Sequence, residues 1–81
     1  MRQLIDALRE TQGQDVKIYT KHKLFGSQRL ETKFKPVTEN GIGFHYKEQV
    51  IYIDSSDIVD YCIEDDKIVI NGKMMSMTII K

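Results

Sequence analysis

The sequence predicts a mainly β domain: one N-terminal α-helix followed by a small antiparallel barrel or roll of five to seven short strands. Three observations lead there. Apolar residues recur at helical spacing only in the first dozen positions. From Val16 onward they alternate with polar residues at period two, and turn residues interrupt the alternation at short intervals. Isoleucine occurs eleven times, and Val, Tyr and Phe add to the same bias towards strands.

The elements follow in order. Met1, Leu4, Ile5 and Leu8 stand at i, i+3, i+4 and i+7, with Arg2, Asp6, Arg9 and Glu10 on the other side. This predicts an amphipathic helix over 2–12, closed by Gly13 in the left-handed region. Three turns are marginal alone, so the helix must dock. Val16, Ile18 and Thr20 alternate with Lys17, Tyr19 and Lys21 as a half-buried strand. HKLFGSQ, 22–28, reads as a loop. Leu30, Thr32 and Phe34 alternate with Arg29, Glu31, Lys33 and Lys35, a strand with a basic outer face that Pro36 ends or confines to an edge.

Thr38-Glu39-Asn40-Gly41 is a turn, because Asn-Gly favours positive φ. Ile42, Phe44 and Tyr46 alternate again, whereas VIYI at 50–53 is too evenly apolar to assign faces. Beyond Asp54-Ser55-Ser56-Asp57, Val59, Tyr61 and Ile63 face one way and Ile58, Asp60 and Cys62 the other. Glu64-Asp65-Asp66 is a turn, KIVI at 67–70 a strand, Asn71-Gly72 a second hairpin signal, and MMSMTII at 74–80 the closing strand. No linker or internal repeat divides the chain, so residues 1–81 are one domain, with helix 2–12 and a β-barrel over 15–80.

Net charge is zero but unevenly placed. Residues 1–47 hold nine Lys/Arg against five Asp/Glu, a net of +4; residues 48–81 hold three against seven, a net of −4. Oppositely charged halves can attract each other within one molecule or between neighbours in an oligomer, and no single-sign tail points to nucleic acid or membrane. No apolar run is long enough to span a membrane, and MRQLIDALRE lacks the apolar block of a signal peptide. A lone cysteine, Cys62, excludes an intrachain disulfide. The expected location is cytoplasmic.

The most carboxylate-rich stretch is IYIDSSDIVDYCIEDDKIVI, 51–70. A Ca²⁺ or Mg²⁺ site needs several converging oxygens, and an EF-hand needs a glycine within its loop. Here no glycine falls between Gly43 and Gly72, and Asp54, Asp57, Asp60, Glu64, Asp65 and Asp66 divide between two turns and one strand face. They read as turn-forming acids on the wet side of a sheet. Cys62 with His22 or His45 makes a nucleophile and base only if the fold joins them. One cysteine and two histidines fall short of a closed zinc site, and GIGF lacks the spacing of a phosphate loop. The methionines at 74, 75 and 77 read as core filler. No cofactor and no metal are expected.

The positive cue is residues 17–35, where Lys17, Lys21, Lys23, Arg29, Lys33 and Lys35 stand against one acid, Glu31. Tyr19, His22, Phe25 and Phe34 are interleaved, with Phe25 beside Gly26 the ring expected to be exposed. Cations beside exposed rings suit single-stranded nucleic acid, although strand alternation alone also yields solvated lysines. The candidate binding residues are Lys21, Lys23, Phe25, Arg29, Lys33 and Lys35.

IVINGKMMSMTII, 68–80, resembles the second motif of Sm-like proteins, with Ile70, Asn71 and Gly72 at the I-x-G positions and Met77 and Ile79 continuing the apolar strand. The order of a helix and then short strands is also similar to that family, and other SH3-type small barrels fit nearly as well. The resemblance implies an SH3- or Sm-like barrel, ring assembly and RNA binding. Asn71 stands where the family usually carries Arg, and its Asp-x-x-x-Asn loop motif is missing, so only the fold is carried over.

The expected function is a non-enzymatic binding or assembly module acting through protein–protein contacts and self-association. Single-stranded RNA or DNA binding through the basic 17–35 face is the alternative. A small hydrolase using Cys62 or the acids is the third reading.

Overall fold

A computed structural model describes all 81 residues. The helix α1 runs Arg2–Thr11. Eight strands follow: β1 (Asp15–His22), β2 (Gly26–Lys33), β3 (Pro36–Val37), β4 (Gly41–Tyr46), β5 (Gln49–Asp54), β6 (Ile58–Ile63), β7 (Lys67–Gly72) and β8 (Met75–Ile80). A single 3-10 turn, Ser55–Asp57, joins β5 to β6. The strands form two antiparallel sheets, ordered β2-β1-β8-β7-β6 and β3-β4-β5. No helix is long and apolar enough to cross a membrane.

The helix buries Leu4, Ala7, Leu8 and Thr11. Its buried stripe is therefore rotated from the expected one: Met1 is exposed and Ile5 only partly covered. Thr11 can be buried because its hydroxyl donates to the Ala7 carbonyl at 2.9 Å. Gly13 ends the helix as expected, at φ 86. Its N–H donates to the Phe34 carbonyl at 2.9 Å, and the Phe34 N–H donates to the Gln14 carbonyl at 2.8 Å. The helix exit is thus bonded to the point where β2 ends.

One core lies between the sheets. Val16 and Ile18 of β1, Ile68 and Ile70 of β7, and Met77 and Ile79 of β8 come from the larger sheet; Ile42, Phe44 and Ile53 come from the smaller. Leu4 and Leu8 reach it from the helix, and Phe34 from the crossing between sheets. The alternation expected for β1 holds residue by residue. Met77 is fully buried and fills core space, whereas Met74 is exposed in the turn before β8.

Several local expectations shift. Residues 22–28 are not an open loop: His22 pairs with Gly26, so only Lys23, Leu24 and Phe25 lie between β1 and β2. Gly26 at φ 81 closes this tight hairpin. Lys33 and Lys35 do not share a strand face, because β2 stops at Lys33 and the chain enters the smaller sheet at Pro36. Asn71-Gly72 lies within the end of β7, and the turn is Lys73-Met74. In β6, Ile58 pairs with Gly72 and Asp60 with Asn71, so Val59 is an extra, bulged residue. The bulge puts Ile58 in phase with Tyr61 and leaves Val59 64% exposed. Cys62 is exposed.

Asn40 takes positive φ, 61, as the Asn-Gly signal requires. Gly41 and Gly43 serve β4 differently, through lack of bulk: a Cβ on Gly43 would run into the Ile51 carbonyl and Tyr52 of the paired strand. A Cβ on Gly13 meets nothing, so Ala there suffers only its left-handed backbone, about 1–2 kcal/mol. Gly43→Ala is expected to cost about 3 kcal/mol or more, since backbone must move. Urea unfolding of both variants checks the ranking.

Candidate functional site: the hairpin tip and its sheet

The outer face of the larger sheet follows from its register. Lys17 pairs with Glu31, Tyr19 with Arg29, and Lys21 with Ser27, all pointing away from the core. On the other side of β1, Tyr19 pairs with Thr78 and Lys21 with Ser76. Two of the candidate cations on this face are already engaged. Lys33 lies 3.5 Å from Asp15, and the Arg29 guanidinium sits 5.7 Å from the Tyr19 ring centroid and 4.0 Å from Glu31. Both ion pairs are exposed and contribute little stability, but they leave less positive field than the sequence suggests.

The six candidates therefore do not form one patch. Lys21, Lys23 and Phe25 gather at the hairpin end of β1. Lys33 lies at the opposite end of β2, and Lys35 beyond it between the sheets. A strand of this length separates the two groups by roughly 23 Å. Arg29 stands between them.

At the hairpin tip, Phe25 is 82% exposed, as expected, and Leu24, for which the sequence raised no expectation, is 72% exposed. The tip is nevertheless braced. The His22 Nδ1 accepts the Leu24 N–H at 3.0 Å and the Phe25 N–H at 3.3 Å. The His22 and Phe25 rings lie with centroids 4.6 Å apart. The Lys23 N–H donates to the Met74 carbonyl at 2.9 Å, tying the tip to the β7–β8 turn. Only the glycine after two apolar residues in KLFG hinted that Leu24 sits at a tight turn.

The acids are spread over separate local roles. The Asp54 Oδ1 accepts the Ser56 N–H at 3.0 Å and the Ser56 hydroxyl at 2.8 Å, capping the 3-10 turn. These two bonds hold its carboxyl below the usual carboxylate range. Asp60 accepts from the Asn71 side-chain amide at 2.7 Å, and Glu64 pairs with Lys67 at 3.4 Å. The Asp66 carbonyl accepts the Lys81 N–H at 2.9 Å. Asn71, at the position compared with the Sm-like motif, is thus committed to a neighbouring strand. The Tyr52 hydroxyl donates to the Glu39 carbonyl at 2.8 Å. Partial desolvation, with Asp54 and Glu39 nearby, raises its phenol above the ordinary value.

No three His, Cys, Asp or Glu side chains converge where they could hold a metal ion. Cys62 on β6 and His22 on β1 are separated by β7 and β8, roughly 14 Å of sheet. His45 belongs to the smaller sheet.

Two outcomes follow. His22→Ala removes the acceptor of two backbone donors, so hydrogen exchange at Leu24 and Phe25 is expected to accelerate while core strands stay protected; unchanged exchange at the tip contradicts the bracing role. Asp54 titrates lower in the folded chain than in the unfolded one. Its stabilising contribution is therefore present above the ordinary carboxylate range and lost as pH falls through the folded value. Ser56→Ala keeps the backbone bond and removes the hydroxyl bond, so NMR titration should place the Asp54 carboxyl part-way back towards its usual range.

No protein-family model, curated protein or solved structure matches this chain.

Proposed function

We propose that this chain is a non-enzymatic binding and assembly module that acts through protein–protein contacts, with the β1–β2 tip as its docking element. The observation that carries this reading is the exposure of Leu24 and Phe25 on a backbone held by three hydrogen bonds, two to His22 and one to Met74. Two large apolar side chains presented on a braced backbone give up less entropy on binding than the same residues on a free loop. Lys21 and Lys23 beside them suit a partner with an apolar pocket and an acidic rim. An Sm-like or SH3-type barrel is the finer fold reading. It is supported by the single core the sheets share, and by the two places where the chain passes between them, at Phe34-Lys35 and at the 3-10 turn. Strand edges left open at both ends of each sheet support assembly between copies.

A second reading has one observation in its favour: the exposed Phe25 lies at the same hairpin end of β1 as Lys21 and Lys23, neither of which is ion-paired. Single-stranded RNA or DNA would stack a base on Phe25 and place phosphates on the lysines. Arg29 and Lys33 are partly engaged elsewhere, which weakens it. A fluorescence-anisotropy titration at low salt separates the readings. Nucleic-acid binding predicts retention that falls by roughly 0.7 log unit per log of salt for each phosphate neutralised, and about tenfold or more on Phe25→Ala.

The protein-binding reading predicts no retention of oligonucleotides at tens of micromolar. It also predicts partners recovered from a lysate by the wild type and lost with a Leu24→Ser/Phe25→Ser variant whose circular dichroism is unchanged. Equal recovery by both proteins removes the tip as the docking element.

A further inference from the structure

The four sheet edges differ in how well they are protected. β3 has two residues and begins with Pro36, and β6 carries the Val59 bulge; both devices discourage strand addition. β5 bears one charge, Asp54, at its end, so it carries nothing to select a register. β2 is eight residues long, pairs without a bulge along its whole length, and has β1 as its sole neighbour. Its outer N–H and C=O groups therefore lack a strand partner.

Beneath β2 the core is also incompletely covered. A cleft of about 780 Å³ opens between β2 and the β4–β5 hairpin, lined in part by Leu30, Tyr46 and Ile51. Leu30 pairs with the buried Ile18, so it lies on the core face of its sheet, yet it is only half-buried.

We propose that β2 is the self-association edge, two copies pairing their β2 strands antiparallel about a two-fold axis through Leu30. This rests on the assembly reading above and names its partner, a second copy of this chain. The register is selected by charge. With the two-fold axis normal to the sheet, each residue faces its own counterpart or one an even number of positions away. Four registers retain most of the strand. Centring on Gln28 sets Ser27 against Arg29 and brings no opposite charges together. Centring on Arg29 sets Arg29 against Arg29. Centring on Glu31 sets Glu31 against Glu31 and Arg29 against Lys33.

Centring on Leu30 instead sets Arg29 of each copy against Glu31 of the other, Gln28 against Thr32, and Ser27 against Lys33. That register pairs opposite charges twice and like charges nowhere, which cross-strand energetics favour. On the core face it brings the two Leu30 side chains together over Tyr46 and Ile51, adding the apolar burial that a bare strand pair lacks. Within one copy, Glu31 lies 3.9 Å from Lys17 and 4.0 Å from Arg29, both exposed, so its existing pairs are weak competitors.

Sedimentation equilibrium over a wide concentration range, in low and moderate salt, tests this on the full chain. Wild type is expected to form a dimer and no larger species. Arg29→Glu and Glu31→Arg should each weaken it by roughly tenfold or more, since each turns two symmetry-related attractions into repulsions. Mixing these two variants in equal amounts should restore a dimer containing one of each. In that mixed pair the two introduced side chains face each other with opposite charge, and so do the two native ones that remain. Circular dichroism identifies either variant that loses its fold, in which case Arg29→Gln and Glu31→Gln replace the pair: each should weaken the dimer, and mixing them should restore only one of the two Arg29–Glu31 attractions. A wild-type protein that stays monomeric at millimolar concentration overturns both this proposal and the assembly reading. A dimer indifferent to all these substitutions leaves assembly standing and overturns the β2 edge.

Discussion

Phe34 is where the structure is tied together. Its ring is fully buried, and its backbone N–H and C=O are both spent on the segment leaving the helix, at Gln14 and Gly13. It follows the last residue of β2 and precedes, with one residue between, the first residue of β3. The helix, the larger sheet and the smaller sheet therefore meet at one residue. Pro36 reinforces the crossing by holding Lys35 extended, and the Lys35 carbonyl accepts the His45 N–H at 2.9 Å. Hydrophobic burial supplies the energy at this junction, while the three hydrogen bonds fix the direction in which the chain leaves it.

That crossing also decides what the basic segment can do. A strand continuing through Lys35 would have carried alternating cations along one face. Because the chain turns into the second sheet, Lys35 leaves that face, and the positive residues nearest the hairpin become a small separate group around two exposed apolar side chains. Internal ion pairs, Lys33 with Asp15 and Glu31 between Lys17 and Arg29, neutralise most of the remainder. The cations therefore do not form one continuous positive face along β2.

Much of the architecture could be read from periodicity. Val16, Ile18 and Thr20 lie inward, Met77 and Ile79 are core, and Gly13 stops the helix, because these depend on local spacing and backbone freedom. Other features depend on distant partners and could not be read. The Val59 bulge exists only relative to β7, so counting by twos puts Val59 and Tyr61 on one face. The Asn71-Gly72 pair is an ordinary hairpin signal, yet its strand continues, since Gly72 pairs with Ile58 and the turn forms beyond it. Phe25 is identifiable as exposed from its glycine neighbour, whereas the role of the His22 imidazole requires a folded-back backbone that no spacing rule encodes.

The bulge at Val59 has a consequence for the size of any assembly. A sheet with two receptive edges grows without limit, adding copies head to tail into a filament. Here the larger sheet has one straight edge and one interrupted edge. In the pair proposed above, the rim of the enlarged sheet would consist of two interrupted edges, and growth would halt there. In the proposed pair, a single inserted residue far from the joint would thereby act as a terminator against fibre formation.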